Sequence, residues 1–331
     1  MKPLSLNDPL LLLLAGLAID ALFGDMPGVF RFVPHPVVVA GRAIASFERK
    51  LNRPTRTEQA RRERGVLTVI ALVGAAAAIG WIIQALCRGR PFGAVVEALL
   101  IGVLIAMRSL LLHVTAVMLA LRNSGLEAGR KAVSHIVGRD PARLDRHGVA
   151  RAAIESLAEN FSDGVVAPVF WYLIGGLPGL FAYKMANTLD SMIGHRSERY
   201  RAFGWAAARF DDFVNLAPAR LSGLLLAAAA LFVKDAQPRR SLLTMLCDAR
   251  KHRSPNAGWP EAAMAGALGL ALAGPRHYAD EVVEDPWIGA GTARAETADI
   301  ARALRLYYAA CLLLSGGLIL AWAALHVRLP A

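Results

Sequence analysis

Residues 151–164 read RAAIESLAENFSDG and fit a helix on which Glu155, Glu159 and Asp163 recur at i, i+4 and i+8. Three carboxylates on one face repel one another unless a cation lies between them. Mg2+ is the natural counter-ion, because it takes oxygen ligands, keeps waters and bridges to phosphates. A solvated acidic face with Arg151 paired to Glu155 is the plainer reading. The apolar run that starts at Gly164 weighs against it, since it sets this face beside a membrane. In the next cluster, YKMANTLDSMIGH (183–195), Lys184, Asn187 and Ser191 share a helical stripe with Asp190 beside it. Ammonium, amide, hydroxyl and carboxylate together can hold a phosphate and its metal. The alternative is a polar face paired within itself, Lys184 with Asp190 or Asn187. A third cluster, RFDDFVNLAPAR (209–220), places Asn215 one turn beyond Asp211, with Asp212 adjacent and Arg209 and Arg220 available for anionic oxygens. Alone, this DDxxN pattern is explained as well by acidic residues near a helix start. Three such clusters beside apolar segments are harder to dismiss than any one.

Two smaller features could contribute. Pro34 and Pro36 fix an extended turn and present His35 rigidly, as a proton acceptor or as a hydrogen-bonded structural histidine. SPNAGWPE (254–261) is a turn into a small-residue helix, from which Asn256 and Trp259 could face a ligand and Glu261 could offset the helix dipole. No GxxxxGK[ST], GxGxxG, GxSxG or HExxH is present, so P-loop, dinucleotide, α/β-hydrolase and zinc-peptidase chemistries lack support.

The elements holding these clusters belong to a membrane chain. Of 331 residues 55% are hydrophobic and 19% charged, and the mean hydropathy is +0.41, against about 45–50% and 25% in soluble domains. A crossing needs about 20 apolar residues. Residues 66–87 and 306–327 satisfy this, 6–23 form a shorter first helix, and 92–121 are interrupted by Glu97 and Arg108. We expect one all-α, polytopic integral membrane domain over 1–331 with about four to five transmembrane helices and a membrane-embedded or cytoplasmic helical central region at 134–289. The net charge of +11 comes from 37 Lys+Arg against 26 Asp+Glu. It points first to loops facing anionic lipid and second to an anionic substrate. Nucleic acid is a poor third, because no basic stripe has interleaved aromatics. The stretch 42–64 carries eight Lys/Arg and 122–151 seven. If 164–183 crossed the bilayer, the six Lys/Arg of 184–220 would lie outside, against the positive-inside tendency. A re-entrant 164–183, rich in Gly and Pro, keeps 122–305 cytoplasmic. Cys87, Cys247 and Cys311 are too scattered for a disulfide framework or a zinc site.

The blocks SxIVGRD (134–140), ESLAENFSDGVVAP (155–168), AYKMANTLDSMIGH (182–195), ARFDDFVNLAPARL (208–221), SPNAGWPEAAMAGALG (254–269) and DPWIG (285–289) occur in a familiar order. With DALFGD…PHPV (20–37), they resemble the cobalamin-biosynthesis family CobD/CbiB, adenosylcobinamide-phosphate synthase, over almost the whole chain. Two departures are small: GDMP stands where GDP is usual, and LAGP (272–275) where LGGP is expected. The resemblance implies a multi-pass enzyme of the bacterial cytoplasmic membrane with its active face inside. It implies amide-bond formation between the free propionate carboxyl of adenosylcobyric acid and the amine of (R)-1-amino-2-propanol O-phosphate, with ATP as co-substrate and Mg2+. Ethanolamine phosphate or free aminopropanol are alternative amines. A second copy of the chain or other corrinoid-pathway enzymes are the remaining partners it suggests. Under that reading Glu159, Asp163, Asp190, Asp211 and Asp212 bind metal. Lys184, Asn187, Ser191, Arg209, Arg220 and Asn256 hold phosphate or substrate, Lys184 also serving the chemistry. Glu155 or His35 takes the proton from the attacking ammonium. Competing readings are a Mg2+-dependent phosphate- or diphosphate-handling transferase and a non-catalytic membrane transporter or sensor.

Overall fold

The computed structural model describes residues 8–326 except 25, 91, 138–140, 279–280 and 284; part of the SxIVGRD block therefore lies outside the described residues. In chain order the helices are α1 (Pro9–Phe23), α2 (Pro27–Phe30), α3 (Pro36–Leu51), α4 (Glu58–Cys87), α5 (Gly93–Leu104), α6 (Met107–Asn123) and α7 (Leu126–Val133). Then come α8 (Arg146–Phe161), a π-helical turn (Ser162–Val166), α9 (Ala167–Ile193), α10 (Trp205–Val214), α11 (Leu216–Ala229), α12 (Pro238–Asp248) and α13 (Gly258–Leu268). Four short strands, β1 (Leu272–Ala273), β2 (Arg276–Tyr278), β3 (Glu281–Val283) and β4 (Trp287–Ile288), precede the last helix, α14 (Thr297–His326). The protein is all-α; among the described residues the strands form two antiparallel pairs, β1 with β4 and β2 with β3. Among the described residues four helical stretches are long and apolar enough to cross a membrane: Glu58–Cys87, Gly93–Asn123, Arg146–Ile193 and Thr297–His326. Neither Gly93–Asn123 nor Arg146–Ile193 is continuous: Ile105 is extended and ends α5, and Gly176 breaks α9.

The chain divides into two compact units, one of 1–106, 167–215 and 322–331 and the other of 107–166 and 216–321. In the first, α1 and α5 approach closely through glycines: a Cβ on Gly16 would lie 2.4 Å from the Ile101 side chain. Small residues at such a crossing let apolar helices pack without a hydrophobic driving force. Leu67, Ile70 and Trp81 of α4 point outward and are over 60% exposed, which a bilayer would cover.

α9 is two helices joined at Gly176, whose φ of 60° and ψ of −149° interrupt the helix just before Pro178. The first arm doubles back along the second. Ala167 packs with Tyr183 and Ala186, and a Cβ on Gly179 would lie 2.3 Å from the Trp171 carbonyl. The bend lies against α4, where Gly80 meets the Leu177 carbonyl and Gly176 meets the Gln84 amide. Buried Glu97 of α5 accepts hydrogen bonds from Tyr172 Oη at 2.9 Å and Gln84 Nε2 at 3.1 Å. Polar groups among apolar helices are thereby satisfied within the protein. The second arm then runs toward the Arg-rich start of α4, where Leu189 and Ile193 join Ile44, Val69, Leu72 and Phe203 in a core.

At that end, buried Glu48 of α3 receives Arg199 on both carboxylate oxygens at 2.9 Å and Asn52 at 3.0 Å. Burial pushes its carboxyl up, but the Arg199 and Asn52 hydrogen bonds outweigh this and hold it below the ordinary glutamate range. Its contribution is therefore present above the unfolded glutamate pKa and lost as pH falls through the lowered value. Glu48→Gln should cost about 1–2 kcal/mol at neutral pH. Thermal melting should show the loss shrinking below about pH 4.

In the second unit, α13 is buried along its length except at Trp259. It is sealed by glycines: a Cβ on Gly266 would strike the Arg240 carbonyl, and one on Gly223 of α11 the Met245 sulfur. Ser241 Oγ of α12 donates to the Ala263 carbonyl at 2.7 Å, and Asp248 Oδ2 accepts from Gly289 N at 2.9 Å, tying the 287–289 strand end to α12.

Candidate active site

The first unit brings the second sequence cluster together with residues 209–215 of the third. Lys184, Asn187 and Asp190 lie half-buried on the second arm of α9, and α10 carries Arg209, Asp211 and Asp212. Tyr183 Oη donates to Asn215 Oδ1 at 3.0 Å, and Asn215 Nδ2 donates to Asp211 Oδ2 at 3.0 Å. Asn215 sits at the C-terminal end of α10, its backbone N–H bonding the Asp211 carbonyl. Trp171 Nε1 donates to the Val214 carbonyl at 3.0 Å and fixes the same end. Asp211 is 8% exposed. Burial and then the neighbouring Asp190 charge push its carboxyl up to about 7, against the pull of Asn215 and Asn187. Asp212 is half-buried; burial raises its carboxyl, and Arg209, whose Nη1 is 3.5 Å away, lowers it.

Among the described residues no three His, Cys, Asp or Glu side chains converge as a metal cage. Mg2+ does not need one, since it is usually held by one or two carboxylates with waters and substrate phosphates. The donor chemistry here fits that pattern. Asp190 raises the pKa of buried Asp211, and a divalent cation between like charges would relieve the repulsion. Gly194 shapes this place: its N–H bonds the Asp190 carbonyl at 2.7 Å, and a Cβ would lie 1.9 Å from Asp190 Oδ1. Ser191 is exposed and its hydroxyl donates to the Asn187 carbonyl at 2.9 Å. His35 serves as the N-cap of α3: its Nδ1 accepts from Val37 N at 3.2 Å, with the ring edge-on to Phe30.

The second unit holds the other candidates. Glu155 is buried in α8 and its Oε1 accepts from Ala273 N at 2.9 Å. Glu159 is exposed, and Asp163 is half-buried within the π turn, which departs from the α-helical register assumed for the three carboxylates. Arg220 lies over the Trp259 ring at 4.5 Å and donates to the Leu216 carbonyl at 2.6 Å. Burial and then the nearby Arg250 lower its pKa, as expected where one guanidinium lies partly buried near another. Asn256 is buried in the turn before α13; Ser254 N donates to His252 Nδ1 at 3.0 Å, and His252 Nε2 lies 3.6 Å from buried Glu261.

Glu155 supports an unusual backbone. Ala273 has φ 58°, a left-handed conformation that costs a residue with a Cβ about 1–2 kcal/mol. It is the alanine of LAGP, where the resembling family is expected to place glycine. Ala273→Gly should raise the melting temperature by about 1–3 °C without loss of activity; a lower melting temperature would show that the methyl packs usefully.

Sequence reasoning missed the Tyr183 hydroxyl, which nothing in the spacing ties to Asn215 32 positions on. It also missed Arg62 of α4, whose guanidinium stacks over Trp205 at 3.7 Å.

No solved structure matches the chain. The family model "CobD/Cbib protein" matches residues 13–307. Proteins named "Cobalamin biosynthesis protein CobD" are similar over nearly their full lengths. That of Brucella suis biovar 1 (strain 1330) is 51% identical over 315 residues, 94% of this chain and 96% of the relative. That of a Sinorhizobium species is 52% identical over 315 residues, 94% and 98%. That of Rhodobacter capsulatus is 49% identical over 297 residues, 89% and 92%. With the family model covering most of the chain and half of its residues shared with these relatives, the chain belongs to the CobD/Cbib protein family.

Proposed function

We propose that the protein acts in cobalamin biosynthesis as an amide-bond-forming ligase of the bacterial cytoplasmic membrane, with its active face inside. It joins the free propionate of adenosylcobyric acid to the amine of (R)-1-amino-2-propanol O-phosphate, giving adenosylcobinamide phosphate. The observation that carries this reading is the buried Asp211, raised by burial and Asp190 and lying one residue from the Arg209–Asp212 pair, in a chain of this family.

A carboxylate does not react with an amine until one oxygen becomes a leaving group. In the proposed sequence the propionate oxygen takes the terminal phosphoryl group of ATP, releasing ADP. The amine then attacks the acyl carbon, forming the C–N bond and expelling phosphate. Mg2+, held by Asp190 with Asp211 or Asp212, would offset charge on the phosphoryl group. Lys184 and Arg209 would take its remaining oxygens, with Asn187 and Ser191 fixing geometry. In the other unit, Glu159 and Asp163 are assigned to metal, and Arg220 and Asn256 to the substrate's own phosphate. The ammonium must lose a proton to attack, and His35 or Glu155 is assigned to take it.

The test is conversion of adenosylcobyric acid by purified membranes with aminopropanol phosphate, Mg2+ and ATP, each omitted in turn. Product that requires all three is expected. Asp190→Ala and Asp212→Ala should abolish it while the protein still inserts and folds. No product from any mixture, with folded protein, would overturn the ligase assignment.

A further inference from the structure

Outside the carboxylate cluster the first unit has a cavity of about 510 Å³, lined by Glu58, Gln59 and Arg62 of α4, by Arg201 and Ala202 of the turn before α10, and by Trp205, the first residue of α10. Its volume lies in the range of small-molecule sites, roughly 300–1,000 Å³. The lining is chemically mixed. Arg62 stacks over the Trp205 indole at 3.7 Å and makes no ion pair among the described residues, whereas Arg201 pairs with Glu58. A guanidinium on an indole offers a cationic stacking surface to an aromatic ring. Gln59 and Glu58 add an amide and a carboxylate suited to the amine and hydroxyl groups of a base and its sugar. With Glu58 paired to Arg201, Arg62 leaves the lining one net positive charge, and the indole beneath it favours a ligand that carries a ring over a bare phosphate, free or on a lipid.

The cavity is joined to the candidate metal site by one helix. Trp205, Arg209 and Asp212 fall at i, i+4 and i+7 on α10, a single stripe. Seven residues of α-helix span about 10 Å, comparable with the reach from a purine ring to the terminal phosphate of an extended nucleoside triphosphate. We propose that this cavity is the nucleotide site, with the purine stacked at Arg62 and Trp205 and the phosphates running along α10 to Arg209 and the Asp212 carboxylate. The proposal rests on the ATP-dependent ligase reading and supplies the nucleotide site that the missing P-loop leaves open.

The test is equilibrium binding of the fluorescent analogue mant-ATP, with Mg2+, to the detergent-purified full chain. Wild type, Trp205→Ala, Trp205→Phe and Arg62→Ala are compared, each first checked for folding by size exclusion and thermal melting. Trp205→Ala and Arg62→Ala should weaken binding about tenfold or more, Trp205→Phe should stay within about threefold, and ATP should compete. Equal affinity in all four would overturn this site and leave the ligase reading standing, with nucleotide bound elsewhere. Absence of binding in wild-type protein that still makes the amide without nucleotide would overturn the cavity and ATP use together, but not amide synthesis. Absence of both binding and turnover in folded protein would overturn the ligase reading as well. Displacement of mant-ATP by anionic lipid nanodiscs but not by ATP would overturn the proposal and assign the cavity to lipid.

Discussion

Asp211→Asn should lower corrinoid turnover about a thousandfold while leaving the protein as stable as the wild type at neutral pH, or more so. The amide keeps the size of the side chain and an oxygen for the Asn215 hydrogen bond, so packing should survive. What is lost is a buried negative charge, and removing one that folding must desolvate is often neutral or stabilising. Under the proposed ligase reading, the catalytic cost is that of deleting a preorganised charge beside the transferring phosphoryl group, about 10²–10³-fold or more. The pH dependence has a definite sign. Burial and Asp190 raise the native carboxyl to about 7, so between about pH 4 and 7 the folded state binds more protons than the unfolded state. Stability therefore falls as pH rises through that window. Asp211→Asn should flatten the fall, and Mg2+ should reduce it in the wild type. Circular-dichroism melting from pH 4 to 8, with and without Mg2+, measures all of this. Full activity in the variant would remove Asp211 from the site.

Gly194→Ala should cost about a hundredfold in kcat. Its Cβ would lie 1.9 Å from Asp190 Oδ1 and 2.7 Å from the Asp190 carbonyl oxygen, so the carboxylate must turn away. Displacing a positioned group by about 1 Å can cost about 10²-fold. A positioning role makes two further demands. The Mg2+ concentration for half-maximal rate should rise while KM for the corrinoid stays unchanged. Because Asp190→Ala alone should abolish turnover, the glycine change is read in that background by thermal melting, where it should cost almost nothing more once the carboxylate it strikes is gone. Additive losses in that double mutant would instead indicate general damage to the end of α9.

Local periodicity made much of this legible. The stripe of Lys184, Asn187 and Ser191 and the one-turn spacing of Asp211 and Asn215 both lie on the helices inferred from the sequence. So do the long apolar run at 66–87, inside α4, and, up to His326, the run at 306–327, inside α14. Features that depend on distant contacts were not legible. The π turn at Ser162–Val166 has no composition of its own, yet it alters the register around Asp163. The extended Ile105 splits an apolar stretch with no Gly or Pro beside it to announce the break. The cluster of Gly175, Gly176, Pro178 and Gly179 signalled irregular backbone, but its contacts come from Gln84 and Gly80 of α4, nearly a hundred positions earlier. Trp205 and Arg62 are separated by still more chain and meet only because α4 and α10 pack together. The prolines flanking His35 marked a rigid turn, whereas the use of its Nδ1 as a helix cap emerges only from the backbone path.

The doubling-back at Gly176 also bears on how the nascent chain enters the membrane. A hairpin whose arms lie side by side cannot be threaded as one crossing; both arms must partition as a unit. Its bend rests on Gln84, and Tyr172 of its first arm on Glu97, and both partners are synthesised earlier. α4 and α5 would thus be in place as a template before the hairpin leaves the ribosome. Tags inserted just before Ala167 and just after Ile193 would then emerge on the same face, and the segment, however apolar, would leave the parity of the whole topology unchanged.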